Sequence, residues 1–231
     1  MSHEINLAEV DVDGAIREAA NGVSGDTRLG FLKKAGVAGG AMVSSGALLS
    51  AFAPDAFGAT YNGRPPRGFG QGDVGILNYA LTLEYLEAAF YNGATEANLP
   101  LSSQGQAFLK VVTRDENAHV AFLKSHLGSK AVKMPSFDFK GTNKNAQMFM
   151  ETSEVLENTG VHAYSGQALN IKTPAYVKAA VSILTVEARH ASVIGLLNEP
   201  AGLQITPNGP FDTPETADKV LAAVKGTGFI V

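Results

Sequence analysis

Two Glu-x-x-His steps constrain this chain more than any other feature: Glu116/His119 within R-D-E-N-A-H-V and Glu187/His190 within T-V-E-A-R-H-A. Residues three apart share a face of an α-helix, so each step aims one carboxylate and one imidazole at a common point. Upstream of each step stands a glutamate with a tyrosine seven residues on, Glu84 with Tyr91 and Glu157 with Tyr164. The chain thus states one pattern twice, with 32 residues from Glu84 to Glu116 and 30 from Glu157 to Glu187. Thirteen glutamates and five histidines placed at random in 231 residues would give only about 0.3 Glu-x-x-His steps. Two steps at matched distances from E-x6-Y are therefore signal.

Thirty residues hold one helix of about twenty residues, a turn, and a return to mid-height on an antiparallel neighbour, at about 1.5 Å per residue. The spacing predicts two helical hairpins and an all-α fold: an antiparallel four-helix bundle with a long crossover and a short C-terminal helix. The first helix is expected from near Asp73 to Gly93, stopping at Asn92-Gly93, with Leu77, Ala80, Glu84, Ala88 and Tyr91 on one stripe. Ser103 and Gln106 form a capping box that opens the second helix, where Val112, Glu116, His119 and Leu123 share a face and Gly128 marks the end. A connection from Ser129 to about Asn143 leads to the third helix, from about Asn145 to Asn170, with Met150, Glu157, Val161, Tyr164 and Ala168 on one side. Thr173-Pro174 caps the fourth, whose inner stripe is Ile183, Leu184, Glu187, His190 and Ile194 and which ends at Asn198-Glu199-Pro200. Asp212-Thr213-Pro214-Glu215 is expected to start the last helix, through about Lys225.

Four carboxylates inside an apolar bundle repel one another and each forfeits hydration worth several kcal/mol. Two divalent cations cancel that charge. Four glutamates and two histidines converging in a bundle are the donor set of dinuclear carboxylate proteins, in which oxygen and imidazole ligands suit iron or manganese better than zinc. The candidate metal ligands are Glu84, Glu116, His119, Glu157, Glu187 and His190, holding two iron ions, with manganese as the alternative. Tyr91 and Tyr164 read as hydrogen-bonding groups behind the ligands, as radical relays, or as plain core aromatics with a satisfied hydroxyl. Glu87, Glu151 and Glu154 are expected on solvated helix faces, with Glu87 and Glu154 as reserve ligands, and His126 and His162 fall outside the ligand set.

The segments G-I-L-N-Y-A-L-T-L-E-Y-L-E-A-A-F-Y, D-E-N-A-H-V-A-F-L, E-N-T-G-V-H-A-Y and L-T-V-E-A-R-H-A resemble the ferritin-like superfamily. Within it, the likeness is to secreted bacterial ferritin-like domain proteins sometimes labelled desiccation-related, over roughly residues 70 to 225. The resemblance implies a ferritin-like bundle with Glu84 and Glu157 as terminal ligands, Glu116 and Glu187 as bridges, and His119 and His190 each completing one metal. The expected function of such a site is a redox enzyme or metal-handling protein, an oxidoreductase of ferroxidase or peroxidase type that oxidises Fe2+ or consumes O2 or peroxide in stress protection. Peroxide dismutation of the manganese-catalase kind, and a non-enzymatic envelope protein stabilised by its metals, are the alternatives.

A formal net charge of −4 with no dense basic block argues against nucleic acid as a partner, and the lack of cysteine excludes disulfides, iron–sulfur clusters and thiol catalysis. Residues 35–54 carry no charge, follow Lys33 and Lys34, and lead to small residues at Ala56-Phe57-Gly58 that suit cleavage. Residues 1–58 therefore read as an export leader and 59–231 as the bundle domain, placing the protein in the periplasm, the envelope or outside the cell. T-R-L-G-F-L-K at Thr27–Lys33 resembles a twin-arginine signal, with Leu29 where the second arginine would stand. A transient membrane contact through the N-terminal segment and assembly into a homo-oligomer stay open.

Overall fold

The computed structural model describes residues 63–199, 205–206 and 209–231, so the leader assigned to residues 1–58 lies outside the described residues. The described residues form five α-helices: α1 (Gly72–Glu96), α2 (Ser103–Leu127), α3 (Ala146–Ala168), α4 (Pro174–Asn198) and α5 (Ala217–Thr227). α1 packs chiefly on α2 and α3 on α4, giving the two hairpins expected, and the pairs meet through α1 with α3 and α2 with α4.

Two apolar clusters fix the directions of α1 to α4. One gathers Ile76, Leu77 and Leu81 of α1, Leu123 and Leu127 of α2, Tyr164 of α3, and Ala180 and Ile183 of α4. The other gathers Phe90 and Tyr91 of α1, Phe108 and Val112 of α2, Phe149 of α3 and Ile194 of α4. α1 and α4 thus run from the first cluster to the second, while α2 and α3 run the opposite way. On α2 and α4 the glutamates and histidines fall between the two clusters, and on α1 and α3 the second cluster also runs past the glutamates through Tyr79, Leu83 and Ala163, so apolar side chains surround the polar layer. The second cluster is ring-rich: Phe90 stacks on Phe149 with centroids 5.6 Å apart and meets Tyr91 and Phe139 edge-on at 5.3 Å. Emptying one such ring position costs about 3–5 kcal/mol, which makes the walls around the polar layer stiff.

Because α2 and α3 are parallel, the chain between them must travel the length of the bundle. Asn78 ties the start of that crossover to α1, donating from Nδ2 to the carbonyl of Lys130 and accepting at Oδ1 from the amide of Val132, both at 2.9 Å. At the far end Phe139 enters the ring cluster and the C-terminus pairs with the crossover, Asp138 N–H to Phe229 O at 2.8 Å and Val231 N–H to Ser136 O at 3.0 Å. α5 packs on α3 and adds Val220 and Val224 to the same cluster.

Several helix ends differ from expectation. α1 runs past Asn92-Gly93 to Glu96 because Gly93 serves a close approach instead of a stop: a Cβ there would lie 2.3 Å from Asn143 Nδ2. The cap of α2 is Ser102, which accepts from Gly105 N–H at 3.1 Å, and Gln106 turns back to the Leu99 carbonyl. Pro174 does occupy the first turn of α4, but Thr173 gives no side-chain cap. Instead Asp73 accepts the Lys172 and Thr173 amides at 2.9 Å, stapling the second hairpin to the start of α1. α5 starts at Ala217, capped by Thr216, and not at the Asp212–Glu215 segment. α4 is long and apolar enough to cross a membrane by length and composition, yet it carries Glu187 and His190 toward the bundle interior, buried with Ile183 and Ile194.

Candidate metal centre

Glu84 on α1, Glu116 and His119 on α2, Glu157 on α3, and Glu187 and His190 on α4 all lie in the polar layer, the four glutamates fully buried. They form two overlapping donor groups, Glu84/Glu116/His119/Glu187 and Glu116/Glu157/Glu187/His190, each with its donor atoms within 4.8 Å of one another. Glu116 and Glu187 belong to both groups. The two hairpins therefore each contribute one private glutamate, one private histidine and one shared glutamate.

The geometry around each imidazole is poor for hydrogen bonding and good for a cation. His119 Nδ1 lies 3.1 Å from Glu116, 3.1 Å from Glu187 and 3.3 Å from Glu84, and His190 Nδ1 lies 3.2 Å from both Glu116 and Glu157. A single ring N–H cannot serve three carboxylates on three helices. Among the described residues, Oε2 of Glu84, Oε1 of Glu116, Oε2 of Glu157, both oxygens of Glu187 and Nδ1 of His190 are buried without a hydrogen bond. Orphaned acceptors at this density cost far more than a folded domain tolerates unless a positive charge sits among them. Carboxylates and imidazoles so placed fit two divalent cations, and the donor chemistry suits iron or manganese.

Protonation follows the same crowding. Burial and the Glu116 and Glu84 charges hold the Glu187 carboxyl well above its usual range, and burial with the Glu84 charge lifts Glu116 to about 7. Burial alone would raise Glu84 as well, but the His119 imidazole beside it outweighs that and keeps it low. Burial alone would lower both imidazoles. Glu116 and Glu157 nonetheless push His190 up to about 11, and Glu116, Glu187 and Glu84 drive His119 well above the ordinary imidazole range.

The two tyrosines stand behind the glutamates, each reaching across the bundle. Tyr164 O–H donates to Glu84 Oε1 at 2.5 Å and Tyr91 O–H donates to Glu157 Oε1. The hydroxyls thus belong to a hydrogen-bonded layer behind the glutamates, on rings that are themselves buried in the apolar clusters. Tyr164 also lines a small apolar cavity of about 20 Å3 with Leu77, Ala80, Leu123 and Ile183. Next to it, sharing Phe122 and Ile183, an open depression between α2 and α4 is lined by His119, Lys178 and Ser182, making His119 the more exposed of the two imidazoles.

Two neighbours were not anticipated in these places. Glu87, expected on a solvated face, is 3% exposed and lies beside the cluster, where burial and the charges of Glu187, Glu116, Glu157 and Glu84 hold its carboxyl well above the usual range. It sits one helical turn after Glu84, and that i+3 relation was the available signal. Asp115 accepts from His190 Nε2 at 3.2 Å and is itself gripped by Arg114 at 2.6 Å; its signal was its place directly before Glu116. The other reserve, Glu154, accepts from Asn198 Nδ2 at 2.5 Å in a depression on the outer face of the second hairpin, and Glu151 is exposed. His126 packs on Phe122 with ring centroids 4.2 Å apart, and neither it nor His162 joins the donor groups.

No curated protein matches the chain. Residues 72–199, which span α1 to the end of α4 and contain all six donors, match the family described as ferritin-like domain, and the chain belongs to that family.

Proposed function

We propose that this domain holds two iron ions between its hairpins and oxidises Fe2+ at the expense of O2 or peroxide, outside the cytoplasm, as protection against oxidative or desiccation stress. The observation that carries the reading is the pair of imidazole Nδ1 atoms, each facing buried carboxylates from more than one helix at 3.1–3.3 Å with most acceptors unsatisfied. Glu84 and His119 would hold one ion, Glu157 and His190 the other, and the shared Glu116 and Glu187 would bridge them. When bound, each Fe2+ supplies one electron to the oxidant.

The chain's own part is positioning and exclusion of water. Tyr91 and Tyr164 fix one oxygen of each private glutamate, leaving the second free toward the centre. The apolar clusters around the layer keep bulk water out, which strengthens every charge interaction inside. The depression at His119 offers a small oxidant an approach. The placement outside the cytoplasm rests on the uncharged run at residues 35–54 and the small residues that follow it.

Anaerobic loading with Fe2+, followed by air or peroxide, tests the reading. About two ions per chain are expected from the donor set, with an oxidation signal on exposure and loss of binding in Glu116→Ala/Glu187→Ala. Binding that survives in that variant would end the proposal. Oxygen evolution from peroxide by protein taken from its native source would reassign the centre to manganese-dependent dismutation. A mass spectrum of the native N-terminus decides whether the leader is removed.

A further inference from the structure

We propose that Glu87 is a seventh protein donor to the dinuclear centre, presenting its carboxylate across a notch that Gly160 keeps open beside Glu187. The proposal rests on the metal-centre reading above and extends its ligand set.

The repeat itself exposes the anomaly. Glu84 corresponds to Glu157, Tyr91 to Tyr164, Glu116 to Glu187 and His119 to His190; on the same register the counterpart of Glu87 is Gly160. One half of a nearly two-fold site carries an extra carboxylate where the other half carries no side chain. A glycine inside a helix costs about 1 kcal/mol against alanine, so the space needs a reason. A Cβ on Gly160 would lie 2.9 Å from Glu187 Oε2 and 3.5 Å from Glu87 Oε1, so both oxygens border one notch. Glu187 Oε2 is fully buried, has no hydrogen-bond partner and is aimed there.

Glu87 itself has no structural excuse for being buried. It forms no ion pair with Lys, Arg or His among the described residues, whereas the other cluster carboxylates share two imidazoles. A buried carboxyl with no cation is tolerated only at a cost of several kcal/mol, and the nearest place where positive charge is expected is the centre. A purely structural polar filler would call for an amide or a hydroxyl with a bonded partner. Glu87 instead places a carboxyl oxygen beside the same glycine that Glu187 Oε2 borders, which is an arrangement a shared cation stabilises.

The test is a titration of the chelated full-length protein with Co2+, read both as heat and as the visible absorption that reports coordination number and geometry. Wild type, Glu87→Gln, Gly160→Ala and the exposed control Glu151→Gln are compared. Glu87→Gln keeps the shape and replaces a buried carboxyl by a neutral amide, so it is expected to fold and to melt higher without metal. With metal, it should still bind about two ions but lose tenfold or more in at least one step, with a changed absorption band. Gly160→Ala should change the band with Glu87 intact, and Glu151→Gln should change neither readout. Unchanged affinity in Glu87→Gln, or weaker affinity with an unaltered band, would overturn the proposal while leaving the centre standing, since the latter signals only a distant charge. Failure of wild type to bind Co2+ would remove the centre and this donor together.

Discussion

Tyr164 on α3 donates its hydroxyl to Glu84 on α1 at 2.5 Å, and Tyr91 on α1 returns the contact to Glu157 on α3. Each tyrosine therefore serves the glutamate of the other hairpin, and the two bonds lace the hairpins together at the level of the candidate centre. Tyr164→Phe leaves a buried carboxylate oxygen without its donor, at a cost of about 1.5–3 kcal/mol for a bond to a charged group. Chemical denaturation of the chelated protein should show that loss. Metal titration should show an affinity weakened by about tenfold or more, as for other groups that orient a ligand. A variant matching wild type in both measurements would reduce the tyrosine to a core ring.

Metal uptake should release protons. Burial alone would lower His190, but Glu116 and Glu157 push it up to about 11 in the metal-free protein, so its Nδ1 carries a proton near neutrality. A cation at that nitrogen must expel it, and affinity then rises about tenfold per pH unit for each proton released. Calorimetric titrations in two buffers of different ionisation enthalpy, at pH 7, should give different apparent heats whose difference counts the protons. Identical heats would mean that the cation bypasses the imidazoles.

Much of this arrangement was legible because the donors carry the period of the helix that bears them. Glu116/His119 and Glu187/His190 need only the i+3 rule, and their spacing from Glu84 and Glu157 implies the hairpins that bring all six together. What escaped depends on contacts between distant residues. That Tyr91 serves Glu157 and not Glu84 is a property of how α1 lies against α3, and that Gly93 continues a helix depends on Asn143 arriving beneath it. Glu87 looked like one more surface acid because helix periodicity alone does not say how wide the buried arc of α1 is; packing by α2, α3 and the crossover buries nearly the whole of its middle.

The metal-free protein should lose stability as pH rises through neutrality. His190 has its folded value raised above about 6.5, the unfolded reference, so its contribution is complete below that pH and disappears on the way to about 11. Glu187 and Glu87 are raised by burial, so the fold favours their neutral forms and loses ground once pH passes about 4.5, the unfolded carboxylate range. Glu84 is lowered and acts in the opposite sense, but only toward acid, below that same range. Thermal melts in chelator should therefore fall from pH 6 to pH 9, and saturating metal should flatten the trend. A metal-free protein that is more stable at pH 9 than at pH 6 would contradict the charge state assigned to the layer.

The two halves of the centre should bind unequally. Asp115, directly before Glu116, accepts from His190 Nε2 and so fixes Nδ1 toward the carboxylates, with Arg114 holding the aspartate in turn. On the repeat register the matching residue before Glu187 is Val186, which offers no acceptor, while His119 lines the open depression between α2 and α4. An imidazole whose far nitrogen donates to a carboxylate is a stronger and better-oriented ligand, and losing such a partner typically costs about 10–100-fold in metal affinity. Asp115→Asn should accordingly weaken the tighter of two resolved binding steps by that amount and leave the other nearly unchanged. Equal weakening of both steps would show that the aspartate supports the bundle as a whole and not one ligand.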